Sequence, residues 1–205
     1  MAPSDFASLW EGNRGAESPL KMVAVRGALE DGKPNSNAIY DDLIFVINEH
    51  AGTVSTWLAS VDPSEALIVN PINPAGAAKL VPGVHLFARG VHKGNPAWPC
   101  LVQAEDFTVY RLDAHGNIRG QESGDFGIHL HSGGTGEDTK HFSAGCQIIH
   151  NADGYFQDPT WGHFIHAIYG VMKSAGISTV PYLLVNAADF NLPIPKDGYA
   201  NPIVP

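Results

Sequence analysis

Charge is in short supply in this chain of 205 residues, where Asp, Glu, Lys and Arg make up only 16%. Twelve basic side chains face twenty-one acidic ones, for a formal charge of -9. That balance argues against a duplex nucleic-acid footprint, which needs clustered Lys and Arg. Cysteine is scarcer still: Cys100 and Cys146 allow at most one intrachain bridge, so no disulfide scaffold holds the fold. No apolar run approaches the roughly 20 residues that a membrane-spanning helix needs. Residues 1–20 lack the basic start and apolar run of a usual secretory signal. These absences lead us to expect a soluble product made in the cytoplasm, reaching other compartments only on lysis or by a route that reads no signal peptide. Phosphate-loop, HExxH and CxxC patterns are missing too, and there is no internal repeat.

Apolar residues make up 44% of the chain, enough at this length for a single domain with a sizeable core. Residues 1–20, with Phe6 and Trp10, read as a loose N-terminal arm. Short runs of strand formers follow at 21–29, 43–48, 53–58, 84–89, 101–102, 107–112 and 180–185, and the pair spanning 43–58 predicts a hairpin. Asp41 and Asp42 read as solvated residues at its start. Residues 62–83 carry four prolines and read as a long connection, with one helical turn over 77–81. His92 falls in a loop. Asp158-Pro159 has the form of a helix cap, and Trp161, Phe164, Ile165, Ile168, Tyr169 and Met172 recur at offsets of three and four up to a stop at Gly176. Residues 191–205 form a Pro-rich C-terminal tail. The sum predicts a mainly β, β-rich α+β domain over 21–190 with one late helix packed against it.

Chemistry concentrates in 126–150, FGIHLHSGGTGEDTKHFSAGCQIIH. His129 and His131 alternate along a predicted strand and so share a face. Gly133 and Gly134 end that strand. Fourteen residues separate His131 from Cys146, a span that can fold back and bring thiol and imidazole together. A neighbouring imidazole can take a thiol proton and turn Cys146 into a nucleophile for a carbonyl. In that reading His131 is general base and then acid, and Gly145 lets substrate or backbone approach closely. Backbone N–H groups beside the thiol meet a developing oxyanion, and Gln147 orients substrate through its amide. The plain alternative for Cys146 is a small buried hydrophobe.

This stretch resembles the active-site signature of the L,D-transpeptidase catalytic domain, the YkuD domain: a histidine at a strand end, a loop of matching length, then Ser-x-Gly-Cys. Gly127-Ile128-His129-Leu130-His131-Ser132 supplies the first part and Ser143-Ala144-Gly145-Cys146 the second, in the form of a divergent Ser-x-Gly-Cys-Gln branch. His131 is the preferred match because small residues follow it, and Gly127-Ile128-His129 keeps His129 beside it as a candidate base. Ala144 departs from the family pattern, which usually has histidine, arginine or another polar residue there, and Gln147-Ile148 replaces the common Ile-Arg or Leu-Asn after the cysteine. The resemblance implies a β-sandwich or barrel and acyl transfer or hydrolysis on peptidoglycan stem peptides through a thioester, without a cofactor. Ser143 would brace the loop, Ser132 or a backbone carbonyl would orient the histidine, and Asp125 is a candidate third member whose simpler reading is a solvated turn. Phe126, Tyr155, Trp98 and Trp57 could line a groove, although core packing is the plainer reading. Two rivals remain: a metal site of His129, His131 and Glu137, which has the two-His-plus-carboxylate form, and a non-catalytic wall-binding domain.

Overall fold

The computed structural model describes residues 1–29, 36–92, 98–151 and 159–189. It opens with a 3-10 turn at Pro3–Phe6 and the short helix α1 (Ala7–Trp10). There follow β1 (Leu20–Arg26), β2 (Asp42–Asn48), β3 (Thr53–Ser60), α2 (Glu65–Val69), β4 (Ala77–Leu80), β5 (Gly83–His92), β6 (Trp98–Gln103), β7 (Phe107–Leu112) and β8 (Ile118–Gly124). The order ends with β9 (His129–Ser132), β10 (Gln147–Ile149), α3 (Pro159–Ala175) and β11 (Thr179–Asn186). Eight strands close a barrel in the order β1-β11-β5-β6-β9-β10-β3-β2, and β4-β7-β8 form a separate three-stranded sheet. The protein is therefore mainly β, with one long packed helix.

Strands β1, β2 and β11 are apolar on both faces, and each face has its own cover. Met22, Ala24, Ile44, Val46 and Tyr182 share a core with Trp161, Phe164, Ile165, Ile168 and Met172 of α3. The Phe164 ring stacks on Trp161 and meets Trp57 edge-on at 5.1 Å. Val23, Val25, Phe45, Ile47 and Leu183 face the other way and are covered by Phe6, Leu9 and Trp10. The segment read as a loose arm is thus docked, because it supplies the apolar surface that a doubly buried sheet requires. Helix α3 stops at Gly176, whose φ of +67° is unfavourable for a residue with a side chain. Asp158, Tyr155 and the tail at 191–205 lie outside the described residues.

Three sequence readings change. The helical turn expected at 77–81 is β4, which pairs with β7 from Ala77↔Leu112 to Leu80↔Val109. The connection at 62–83 also contains α2. Asp41 and Asp42 are buried rather than solvated, since both serve backbone donors that the turn geometry leaves open. Asp42 accepts from the N–H groups of Gly27 at 2.6 Å and Val61 at 2.7 Å, and Asp41 from Ser36 at 2.7 Å. Beside Asp42, the buried Asp62 carboxylate binds Arg26 at 2.9 Å and Lys79 at 2.7 Å.

Candidate active site

Strands β9 and β10 run parallel in the register Gln147↔Leu130 and Ile148↔His131, so Cys146, one residue before β10, stands beside His129. The loop between the two strands is tied at both ends. Gly133 donates to the Ile149 carbonyl and Gly134 to the Tyr40 hydroxyl, each at 2.7 Å. A Cβ at Gly133 would lie 2.4 Å from the Tyr40 hydroxyl, and one at Gly134 2.4 Å from the Phe142 ring. The glycine pair therefore serves close packing as well as the end of the strand. Thr139 donates to the carbonyls of Ala38 and Asn37, while Ser64 donates to those of Ser143 and Thr139.

The cysteine turn is braced from within. The Ser143 hydroxyl donates to the Cys146 carbonyl at 2.7 Å and accepts from the Gly145 N–H at 3.1 Å. Gly145 has φ +141°, and a Cβ there would come within 2.5 Å of the Ala78 carbonyl oxygen. Glycine is required because strand β4 passes so close; the backbone, not a substrate, makes the approach. Its N–H is committed to Ser143 and is not an oxyanion donor. Gln147 also departs from expectation. It is fully buried, donating to the Gly145 carbonyl at 3.2 Å and accepting from the Tyr182 hydroxyl at 2.7 Å. A side chain so placed supports the turn from beneath and does not reach a substrate.

The Cys146 thiol is partly exposed. Its sulfur accepts from the backbone N–H of His129 at 3.4 Å and lies 4.0 Å from the Gly127 carbonyl oxygen. Burial pushes its pKa up, and the His129 N–H opposes that shift. Cys100 is buried, its thiol raised to about 12 by burial and then by the neighbouring Cys146. The two cysteines flank β9 from opposite sides, on β6 and before β10. Two strand spacings put their Cα atoms about 10 Å apart, beyond the reach of a disulfide. Both are free.

His131 is buried, and its Nδ1 lies 2.7 Å from the Ser132 carbonyl oxygen. A carbonyl can only accept, so Nδ1 carries the proton and Nε2 holds the lone pair. The orienting group is thus the backbone carbonyl of Ser132, whose own hydroxyl accepts from Asn151 at 2.9 Å. Nε2 is buried and makes no hydrogen bond, with Cys146 or with any other group among the described residues. Burial, then the charge of His92, pushes the His131 pKa down to about 3; the Ser132 carbonyl opposes this and His129 adds to it.

His92, at the end of β5, joins this group. Its ring stacks on His131 at 4.2 Å with 30° between planes, and its Nδ1 is 3.1 Å from Nδ1 of His129. Trp98, its cross-strand partner, also stacks on it, at 5.2 Å. His92 thus ends a strand and does not lie in the loop expected of it. The cue was there in the two aromatic rings set to face each other once β5 and β6 extend into a longer hairpin. Glu137, by contrast, is exposed on the loop, and no three His, Cys, Asp or Glu side chains among the described residues gather as metal ligands.

A cleft of about 330 Å³ opens beside the cysteine turn, lined by Ile72, Asn73, Arg111, Asp125, Phe126 and Ala144. Arg111 lies over the Phe126 ring at 4.8 Å and binds Glu122 at 2.6 Å. Asp125 is exposed and accepts from the Gly127 N–H; no hydrogen bond among the described residues joins it to either strand histidine. Of the aromatic residues considered for a groove, Phe126 lines this cleft, Trp98 packs on His92, and Trp57 is in the core. A second cavity of about 350 Å³, between α3 and the β2–β3 hairpin, is lined by Val46, Trp57 and the exposed His163 and His166, and the cysteine turn takes no part in it. No helix among the described residues is long and apolar enough to cross a membrane. In comparisons with protein-family models, curated proteins and solved structures, nothing matches this chain.

Proposed function

We propose that the protein is a cysteine acyltransferase or hydrolase acting on peptidoglycan stem peptides, with Cys146 as nucleophile and His131 as its base. The observation that carries this reading is the orientation of His131: Nδ1 is tied to the Ser132 carbonyl, which leaves a buried, unbonded Nε2 on the strand next to the thiol. Burying a proton acceptor without a partner is costly, on the order of 1–3 kcal/mol. A lone pair left in that state is open to a transient partner such as the thiol proton.

With substrate in the cleft beside Ala144, the Cys146 side chain turns from Gly127 toward Nε2 and gives up its proton. The sulfur attacks the stem-peptide carbonyl, and the electron pair moves onto the carbonyl oxygen. Collapse of that intermediate breaks the C–N bond while His131 returns the proton to the departing amine, leaving a thioester on Cys146. A second amine resolves the thioester as a crosslink, and water resolves it as hydrolysis. The His129 backbone N–H, at 3.4 Å from sulfur, stabilises the thiolate as it forms. In the resting state the thiol and the imidazole are both neutral, because burial disfavours both charges.

Defined tetrapeptide and pentapeptide muropeptides incubated with the protein, followed by intact mass spectrometry, test the proposal. The expected result is an acyl adduct and a shortened stem, both lost in Cys146→Ala and at least 100-fold slower in His131→Ala, in line with the usual worth of a general base. Turnover that survives Cys146→Ala, or no adduct with any stem, would end it.

A further inference from the structure

We infer that His92 is a positioning residue for His131, holding the imidazole in its working orientation by ring stacking; the inference rests on the cysteine–histidine reading above. Three contacts fix His92 itself. Trp98 stacks on its ring at 5.2 Å and 27°, His131 stacks on it at 4.2 Å and 30°, and its Nδ1 meets Nδ1 of His129 at 3.1 Å. The pairing His92↔Trp98 across β5 and β6 anchors that stack to the backbone. His131 has a single hydrogen bond of its own, to the Ser132 carbonyl. One bond at one ring atom leaves the imidazole free to swing about that atom. A flat neighbour 4.2 Å away restricts the swing, and so determines where the Nε2 lone pair points.

The same stack controls charge. Among the described residues, the titratable groups around His131 are His92 from β5, His129 from its own strand, Cys100 from β6 and Cys146 from the turn before β10. No carboxylate, lysine or arginine of the described residues contributes to its titration. A proton on His92 would thus oppose one on His131 at close range with nothing to offset it. His92 must be neutral for His131 to receive the thiol proton. Burial favours that state by lowering the His92 pKa.

The test uses the full chain and two variants. His92→Ala removes the ring, and His92→Phe keeps the stack while removing both nitrogens. The first readout is the His131 imidazole titration by NMR; the second is the pH profile of Cys146 alkylation by iodoacetamide. In His92→Ala we expect the His131 pKa to rise by at least about one unit and stem-peptide turnover to fall about tenfold or more. His92→Phe should keep turnover within about threefold of the unsubstituted chain, since the stack survives; that step is small beside the 100-fold span of general-base effects. Should His92→Ala fail to fold, the phenylalanine variant decides alone. Folded His92→Phe with turnover lost, or His92→Ala with an unchanged His131 titration, would overturn the inference. Because the NMR titration reads His131 whether or not acyl chemistry occurs, an inactive Cys146 would fail the proposed function without deciding the role of His92.

Discussion

Replacing Gly145 by alanine sets a new Cβ 2.5 Å from the Ala78 carbonyl, at a φ of +141° that side chains avoid. We expect this substitution to cost about 1–3 kcal/mol in urea denaturation, and to reduce acyl-adduct formation more than stability, because the displaced residue is the neighbour of Cys146. The thiol makes its own prediction. With its pKa raised and His131 neutral, the iodoacetamide rate should climb only as pH enters or passes the ordinary thiol range. A reactive plateau near neutral pH would mean a thiolate–imidazolium pair already exists at rest. Arg111→Ala should raise KM for stem peptides with little change in kcat, since Arg111 lines the cleft and has no part in the thiol–imidazole proton transfer. Part of this site could be read from sequence alone. The spacing of His131 and Cys146 and the bracing serine are local properties, and local patterns carry them. Gln147 was misread because a strand of three residues gives no period from which to tell which face is buried. His92 was missed because it arrives from a hairpin 37 residues before His129.

At the level of elements, Asp42 and α3 make the sharpest predictions. Asp42 ties the ends of β1 and β3 together by accepting the Gly27 and Val61 N–H groups. Asp42→Asn would turn an amide N–H₂ toward one of those donors, and we expect a loss of about 1–3 kcal/mol by chemical denaturation. Phe164→Ala empties a ring packed between Trp161 and Trp57, with an expected loss of about 3–5 kcal/mol. Helix α3 and the β2–β3 hairpin were legible because an apolar stripe and a pair of strand-forming runs are strong periodic signals. Strand β8 was not, since IRGQESG is exposed or half-exposed along its whole length, with no buried apolar face, and meets β7 through its backbone and the surface pairs Thr108–Ser123 and Arg111–Glu122. Strand β4 hid in a Pro-rich stretch whose neighbours suggested a connection. The buried pair Asp41 and Asp42 looked solvated because sequence does not show which backbone donors a turn will leave open.

For the whole molecule, two buried groups set opposite pH limits. His131 has its pKa lowered from 6.5 to about 3, so stability is lost as pH falls through that interval. Asp42, raised from 3.8 to about 8 by burial and then by Asp62 and Asp41, loses stability as pH rises through its own interval. Where the intervals overlap, the proton gained by unfolded His131 cancels the proton lost by unfolded Asp42. These two groups alone therefore give a plateau between 3.8 and 6.5 and a decline toward 8. The burial-lowered pKa values of His85 and His92 tilt its acid side downward. Urea midpoints measured across pH should show that form, and Asp42→Asn should flatten the alkaline decline.

Barrel closure has a consequence for biosynthesis. Strand β1 finds its parallel neighbour in β11, with Met22 beside Tyr182. A ribosome adding about 5–20 residues per second takes on the order of ten seconds or more to travel from one to the other. Through that interval the β1–β2 hairpin and the docked segment around Phe6 can form, while the free edge of β1 waits for its partner. Any nascent chain stopped before Thr179 would carry an open seam, and so would be a target for chaperones or for pairing with another unfinished copy.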